Sequence, residues 1–562
     1  MSGRGWRVAA AMVALAAMLP VAAGLVGILA PAFGHLPALG HRGVSLAPFA
    51  ALFAAPGIAT SVLLSAATGL AATALGVGLT MLLLAASYGG RSLVVAERLL
   101  APILSVPHAA AAAGFVFLFA PTGFVLRLLS PWPSGLEAPP DIALVGDPYG
   151  IALVLALAMK ETPFLFMMAL VALSQVEAAG RVGVARSLGY GRMAAFLHAA
   201  WPLVYRQMRL PVLAVLAFAA SVVDVVMILG PRQPAPLGGR IVTWLQAADL
   251  DGWFLGSAGA VAMMGLVLLL VGLWRAGEAV AGRAAARLRL GGRRWRRDRV
   301  ARVAVLGFGA VAVAAMAVSF AGLMLQSVAG YWPFPDVLPA TVGLAVWQRR
   351  LAMAAATLGD TLTIALAATA AALPLAVVLV EAARRGGVST RLVYVPLIVP
   401  QVAFLFGLDV LAIRAGLTPG LGAVILAHMV FALPYQVIAL AGPWQALDPR
   451  FEAVAASLGA GPVRRFVTVR LAMMTASLLV TAAVSVAVSV GLYLPTQMIG
   501  AGRVATVTTE AVAAATGGDR RLLGLYATLQ LVIPLLAFAV ARWVPALLWR
   551  RRRGMRPVRW AA

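Results

Sequence analysis

Apolar runs of about 20 residues recur along the whole chain, separated by short segments rich in arginine, glycine or proline. A run of that length crosses the hydrocarbon core of a bilayer as a helix. Twelve are counted, centred near residues 20, 72, 110, 161, 218, 265, 313, 368, 402, 431, 483 and 533. Unpaired backbone amides are costly in lipid, so helices are expected for these runs, and the alternating pattern of a membrane β-barrel is absent. An even number of spans puts both termini on one side. The first run, Val8 to Ala30, follows Arg4 and Arg7 as a signal peptide would. It exceeds the roughly 7–15-residue apolar core of such peptides and predicts a retained span.

Composition agrees with this pattern. A hydrophobic fraction of 62%, only 11% charged residues and a mean hydropathy of +0.96 exclude a soluble globular chain of this length. A formal charge of +25 would point to nucleic acid in a soluble protein, but its distribution points elsewhere. With Met1 taken as cytoplasmic, the loops on that side hold 33 arginines against 10 on the other, the positive-inside asymmetry. The run RRWRRDR, Arg293 to Arg299, and the tail WRRRRGMR, Trp549 to Arg556, are read as topology anchors and contacts to anionic membrane lipids. No nucleic-acid partner is expected. The absence of cysteine excludes disulfides, thiolate metal sites and cysteine nucleophiles.

The chain repeats itself. SLGYGRMAAF, Ser187 to Phe196, returns as SLGAGPVRRF, Ser457 to Phe466. GRIVT at Gly239 to Thr243 answers GRVAT at Gly502 to Thr506, DGWFLG at Asp251 to Gly256 answers DRRLLG at Asp519 to Gly524, and Gly230 answers Gly500. PILSVP, Pro102 to Pro107, resembles PLIVP, Pro396 to Pro400. These matches define two halves, 1–290 and 291–562. Six spans in each make them parallel repeats that enter the membrane in the same direction. A Pro-rich insert, Pro131 to Pro148, is the main difference in length, and the arginine-rich stretch Arg275 to Arg302 joins the halves.

The recurrent segments lie in matched loops, about 174–209 and 445–471, both facing the cytoplasm in this topology. The second reads LDPRFEAVAASLGAGPVRRFVTVRL, Leu447 to Leu471. It resembles the EAA loop of ABC importer permeases, with Glu452 at the acidic position, Gly459 at the glycine, Phe466, Val469 and Leu471 at the apolar positions, and Ala472 where the family usually has proline. In the first half Gly189, Phe196, Ala199, Trp201 and Pro202 match the glycine and the closing segment. Val182 stands where Glu452 would align, and Glu177 lies five residues before Val182. Alanine-rich sequence supplies a first short helix, glycine tolerates the positive φ of a sharp turn, and Phe with flanking Arg offers an apolar knob to a partner. Such a loop can pass a rigid-body motion to the spans on either side.

The resemblance covers nearly the whole chain and is strongest for fused two-repeat permeases of the ferric-iron, thiamine and putrescine-like branch. The closing segment from Gly491 to Gly524 looks especially like a thiamine-like permease. It implies an all-α polytopic membrane protein with about 12 transmembrane helices in two parallel six-helix repeats, like type I ABC importers. It further implies two copies of a cytoplasmic ABC ATPase, a periplasmic or extracytoplasmic solute-binding protein, and a location in the bacterial inner membrane with both termini cytoplasmic. No phosphate-loop motif occurs, and Lys160 is the one lysine. ATP and Mg therefore belong to the partner subunits, and no cofactor is expected in this chain.

Ionisable groups near a bilayer centre cost about 2.5–3.5 kcal/mol and call for a reason. Lys160 and Glu161 lie mid-span beside Thr162 and Pro163; as sequence neighbours they do not face each other on a helix, and both structural burial and a role in the path remain open. Asp224 in the fifth span, aligned with Leu494, and Tyr493 and Thr496 in the eleventh are the preferred path-lining candidates. Asp409 and Asp360 are weaker ones. Pro102, Pro107, Pro163, Pro396, Pro400 and Pro434 are expected to interrupt helices. His35, His41, His108, His198 and His428 have no metal-ligand spacing, so a metal site is not expected. Twelve spans in two parallel halves also suit an ion-coupled carrier of major-facilitator architecture, of which GGRS, Gly89 to Ser92, is a faint echo. A membrane-embedded transferase would want convergent catalytic groups at one interface, and none is apparent.

Overall fold

The computed structural model describes residues 3–550 apart from 38, 39, 248, 250, 387–389 and 417, so the last part of the basic tail, from Arg551 onward, lies outside the described residues. The chain begins with α1 (Gly3–Ala32), α2 (Ala47–Ala54), α3 (Ile58–Ser87), α4 (Arg91–Leu104), α5 (His108–Phe119) and α6 (Phe124–Leu128). It continues through α7 (Ile151–Ser174), α8 (Ala178–Ser187), α9 (Arg192–Ala199), α10 (Trp201–Ser221), α11 (Asp224–Leu229), α12 (Leu237–Leu245) and the long α13 (Asp251–Leu290). After the arginine-rich linker come α14 (Arg299–Val328), α15 (Ala345–Arg384), a 3₁₀ segment (Thr390–Leu397), α16 (Gln401–Arg414) and α17 (Leu421–Ala446). Last are α18 (Arg450–Ser457), α19 (Pro462–Arg465), a π-helical turn (Phe466–Leu471), α20 (Thr475–Gly491), α21 (Leu494–Ile499), α22 (Val507–Thr516) and α23 (Arg520–Leu548).

Among the described residues ten helices are long and apolar enough to cross a membrane, and the pair Pro462–Leu471 and Thr475–Gly491, bent by 70°, makes an eleventh. The run expected near residue 402 is instead a short helix, α16, of 14 residues. Proline explains the shortfall: Pro396 sits in the 3₁₀ segment and Pro400 stands just before α16, where each denies a backbone donor to the preceding turn. In the first half Pro107 likewise separates α4 from α5, with extended backbone at φ −61 and ψ 151. Pro102, Pro163 and Pro434 do not interrupt anything; they lie inside α4, α7 and α17. Neighbouring helices can re-satisfy the carbonyl that such a proline frees.

The fifth span of each half ends in a true break. Val222 and Leu492 adopt extended backbone, and the short helices α11 and α21 follow. Breaks within apolar surroundings persist only where the freed donors find partners. The hydroxyls come from the second span of the same half: Ser65 of α3 accepts from the Leu237 amide that opens α12 at 2.9 Å, and Thr361 of α15 accepts from the Val507 amide that opens α22 at 3.0 Å. Asp224, expected within the fifth span, is therefore the first residue of α11, Tyr493 is the N-cap of α21, and Thr496 lies inside α21.

The first helix after each start crosses to the opposite part of the chain. α1 packs along α16, and α14 packs along α5. Small residues make these approaches close: a Cβ on Gly24 would overlap the Phe404 carbonyl, one on Gly27 the Gly407 carbonyl, and one on Gly407 the Gly24 carbonyl. On the other side Gly322 leaves room for the Phe117 ring and Gly114 for Ser319. Without a hydrophobic driving force between helices in lipid, such backbone proximity is what holds them together. Replacing Gly407 with leucine is expected to destabilise the fold by roughly 1–3 kcal/mol, read as a lowered unfolding midpoint in detergent, whereas Gly422→Leu, at an open position, should leave it unchanged.

Candidate functional site: two matched loops and a polar cluster

The two loops share one backbone construction. Helix α8 closes with Gly189 at φ +86, with the Gly189 amide on the Arg186 carbonyl at 2.9 Å and the Tyr190 amide on Ala185 at 3.2 Å. Helix α18 closes with Gly459 at φ +80, the Gly459 amide on Ala456 at 3.0 Å and the Ala460 amide on Ala455 at 3.0 Å. This paired 6→1 and 5→2 pattern is the Schellman C-cap, which requires a left-handed residue and hence glycine. Gly191 and Gly461 then start α9 and α19 in extended backbone.

Around this common frame the side chains differ. In the second loop Glu452 accepts from Nε of Arg470, and its other oxygen lies 3.9 Å from Arg384. Arg470 is 1% exposed, lies over the Trp444 ring, donates to the Trp444 carbonyl at 3.3 Å and stands 3.8 Å from Glu381. Glu381, fully buried, also accepts from Arg384 at 2.7 and 2.9 Å, from Arg385 at 2.6 Å and from the Trp444 indole at 2.9 Å. Phe466 packs between Trp6 and Trp444, with ring centres 5.8 and 6.2 Å away. Glu452 thus ties α18 to the π-helical turn and, through Arg470, to the end of α15.

The register set by SLG places Val182 opposite Glu452 and Ala200 opposite Arg470. Leu84 and Glu381 each lie five residues before a Gly-Gly pair. Leu84, Val182 and Ala200 are buried in one apolar cluster. The departure from the expected acidic position is therefore compensated: where one loop is held by buried charges, the other is held by hydrocarbon. Glu177 does not replace Glu452. It is exposed, at the N-cap of α8, with no side-chain cap bond. Phe196 is fully buried against Tyr88, ring centres 4.8 Å apart, and burial raises the Tyr88 phenol above its ordinary range.

The linker also separates the two. Asp298 accepts from the Met193 amide at 2.6 Å, so a carboxylate from outside the loop caps the positive end of α9, and the Arg294 carbonyl accepts from Gly191 at 3.1 Å. A Cβ on Gly191 would collide with Trp295 and Asp298. Arg192 donates to the Tyr88 carbonyl at 2.6 and 3.0 Å, and Arg302 to Ala86 at 2.8 Å. Burial first, then Arg302 and Arg186, hold the Arg192 guanidinium below its usual range. At Gly459 and Gly461 nothing comes within 4 Å of an added Cβ, and neither α18 nor α19 has a buried residue. Part of the arginine run expected to serve only as an anchor is thus seated on the first loop. Its single acid, Asp298, was the visible signal.

A second constellation lies deeper. Lys160 and Glu161, both buried, are not paired with each other: Lys160 donates to the Leu104 carbonyl that ends α4 at 3.3 Å, and Glu161 meets His108 at 2.7 Å. His108 packs on Phe218 and lies within electrostatic reach of Asp224. From the other half, Tyr493 is close enough to feel the Asp224 charge and Tyr435 that of Glu161. Asp224 and Glu161 of the first half thus act on Tyr493 and Tyr435 of the second, in the part of the bundle where Gly491 also faces Pro107. Thr496 does not join them; it is fully buried on His428 at 2.9 Å, which in turn meets Ser489 at 2.8 Å. Asp360 and Asp409 are half-buried on α15 and α16. His108 and Tyr435 are the members that residue spacing did not reveal. Among the described residues no group of three or more His, Cys, Asp or Glu is arranged to hold a metal.

No family model matches the sequence. Comparison with curated proteins finds the inner membrane ABC transporter permease protein YnjC of Escherichia coli strain K12, 31% identical over 452 residues, which covers 79% of this chain and 80% of that protein. Identity of that extent across both halves of a polytopic helical chain places this protein in the family of inner membrane ABC transporter permeases.

Proposed function

We propose that this chain is the permease subunit of an ATP-driven importer, which carries a small solute through the inner membrane by alternating access. Two parallel repeats, 1–290 and 291–562, contribute six spans each when the proline-broken 3₁₀ segment and short α16 are taken together as the third of the second half. Loops 174–209 and 445–471 are the coupling loops, each seated on one copy of a cytoplasmic ATPase that holds the ATP and Mg. A solute-binding protein delivers cargo on the opposite side, and the arginine asymmetry orients both termini to the cytoplasm. The observation that carries the reading is the pair of identically capped turns at Gly189 and Gly459, repeated on chemically different supports. Packing alone does not require the same helix–turn–helix geometry over both an ion-pair network and an apolar core; a pair of like partners does.

The polar cluster of Asp224, Glu161, Lys160, Tyr493, His108 and Tyr435 is the proposed path lining, drawn from both halves. Its two carboxylates suit a cationic cargo, and the branch resemblance narrows the class to a thiamine-like compound, a polyamine or ferric iron. Thr496 serves as a structural member behind Tyr493. The two loops have unequal duties in this reading. The first, capped by Asp298 and sealed with hydrocarbon, is the fixed anchor, and the second, exposed and held by Glu452 and Arg470, is the one that moves.

Valine at Gly459 would force a β-branched residue into left-handed backbone, at a cost of roughly 1–2 kcal/mol. Gly459→Val should therefore leave membrane insertion intact while ATP hydrolysis by the reconstituted complex loses its coupling to uptake; unchanged uptake in proteoliposomes would refute the docking role. Glu452→Ala leaves the Arg470 Nε without an acceptor while Glu381 and the Trp444 carbonyl still offset its charge, a loss of about 1–3 kcal/mol, whereas Glu177→Ala should change stability by no more than about 0.5 kcal/mol. The double change Glu452→Val and Arg470→Ala removes both partners while Glu381 keeps Arg384, Arg385 and the Trp444 indole, and it should recover part of that stability, measured by thermal unfolding, but not uptake. Asp298→Ala is expected to remove about 0.5–2 kcal/mol of cap stabilisation from α9 and to open the linker to protease, seen as faster cleavage between residues 290 and 300.

A further inference from the structure

At the end of α14 opposite the linker a cavity of about 210 Å³ lies between α5, α6, the start of α23 and the segment after α14. Arg127, Arg520 and Arg521 line it, together with Thr122, Gln326 and Trp332, and no acidic side chain does. Arg127 is 6% exposed and held in place: Nε donates to the Thr122 carbonyl at 2.9 Å, Nη1 to the Pro333 and Asp336 carbonyls at 2.6 Å each, and Nη2 to Trp332 at 3.4 Å. The guanidinium also lies over the Trp332 and Phe334 rings. These partners are neutral, and the Asp336 carboxylate acts on Arg127 from outside the lining. Arg521 donates to the Gly330 carbonyl at 2.5 Å.

Arg520 has neither a hydrogen bond nor an ion pair among the described residues, because its neighbour Asp519 is engaged in capping α23 through the Leu522 amide at 3.0 Å. The Thr122 hydroxyl is buried in the same lining without a partner. Arg127, its donors spent on carbonyls, supplies a fixed positive charge, and the exposed Arg520 and Arg521 bring to the mouth of the hollow guanidinium forks that match the oxygens of phosphate. The room exceeds that of a few waters, and the aromatic rim of Phe117, Phe124 and Trp332 suits the level of lipid headgroups.

We propose that this cavity binds a phosphate-class oxyanion, supplied by a phospholipid headgroup or by a soluble phosphate, and that the anion joins α5 and α6 to α14 and α23. The site does not depend on the reading of the coupling loops. The test uses the full chain in nanodiscs of phosphatidylcholine alone or with added phosphatidylglycerol, thermal unfolding during titration with inorganic phosphate, and native mass spectrometry of retained lipid. Wild type should keep phosphatidylglycerol or be stabilised by phosphate, and the double variant Arg520→Gln, Arg521→Gln should lose about tenfold or more in apparent affinity. Thr122→Val, which leaves every arginine contact in place, should weaken binding in the same direction and carries the comparison if the double variant does not fold. Stabilisation by phosphate in phosphatidylcholine discs identifies a soluble source, and retention of phosphatidylglycerol alone identifies a lipid; both uphold the site. Equal binding by wild type and variants, no binding in either disc, or an equal loss in the exposed control Arg42→Gln would overturn it.

Discussion

A helix can be broken inside hydrocarbon only if the donors it frees are met by other groups, and this chain depends on meeting them at the same place twice. Ser65 and Thr361 take the amides that open α12 and α22, the helices reached after α10 and α20 stop at extended Val222 and Leu492 and the chain passes through α11 and α21. Asp224 opens α11 and Tyr493 stands just before α21, within reach of the Asp224 charge. The path proposed for a solute is a by-product of how backbone hydrogen bonds are satisfied.

In the proposed reading the chain carries two copies of a lever, and the two rest on opposite kinds of support. Burying Glu381 and Arg470 requires two charges to lose water, and their attraction to each other and to half-buried Glu452 offsets that loss only with good geometry and additional hydrogen bonds. Leu84, Val182 and Ala200 fill the corresponding space with no such demand. The linker deepens the contrast, since a fused chain has one connection between its halves, and that connection rests on the first lever only. A symmetric pair of partners would therefore meet an asymmetric membrane domain.

Helices were legible because twenty apolar residues in lipid leave the backbone one economical solution, and the loops because they occur twice in nearly the same words. What escaped was set by contacts distant in sequence. Nothing in SVVDVV says that Val222 becomes extended, or that Ser65, on another span, takes the Leu237 amide that opens the helix after it. Pro163 and Pro434 looked like breaks, but a continuous helix with neighbours absorbs a single missing donor. Sequence alone shows Val182 at the aligned acidic position; that it packs in one apolar cluster with Ala200 and Leu84 depends on residues distant along the chain. Glu177 was a reasonable substitute by type and proximity, yet its side chain has no arginine to hold. His108 had no ligand-like spacing, and only the break at Pro107 swings it toward Glu161.

The crossing of α1 onto α16 bears on how such a protein is made. Gly24 and Gly27 find their backbone partners at Phe404 and Gly407, nearly four hundred residues later on the ribosome. At about 5–20 residues per second, the first helix waits on the order of tens of seconds in the bilayer with its small-residue face uncovered. Insertion of this chain is therefore a problem of custody as much as of topology: whatever shields that face during synthesis must let go only once the ninth apolar run has emerged.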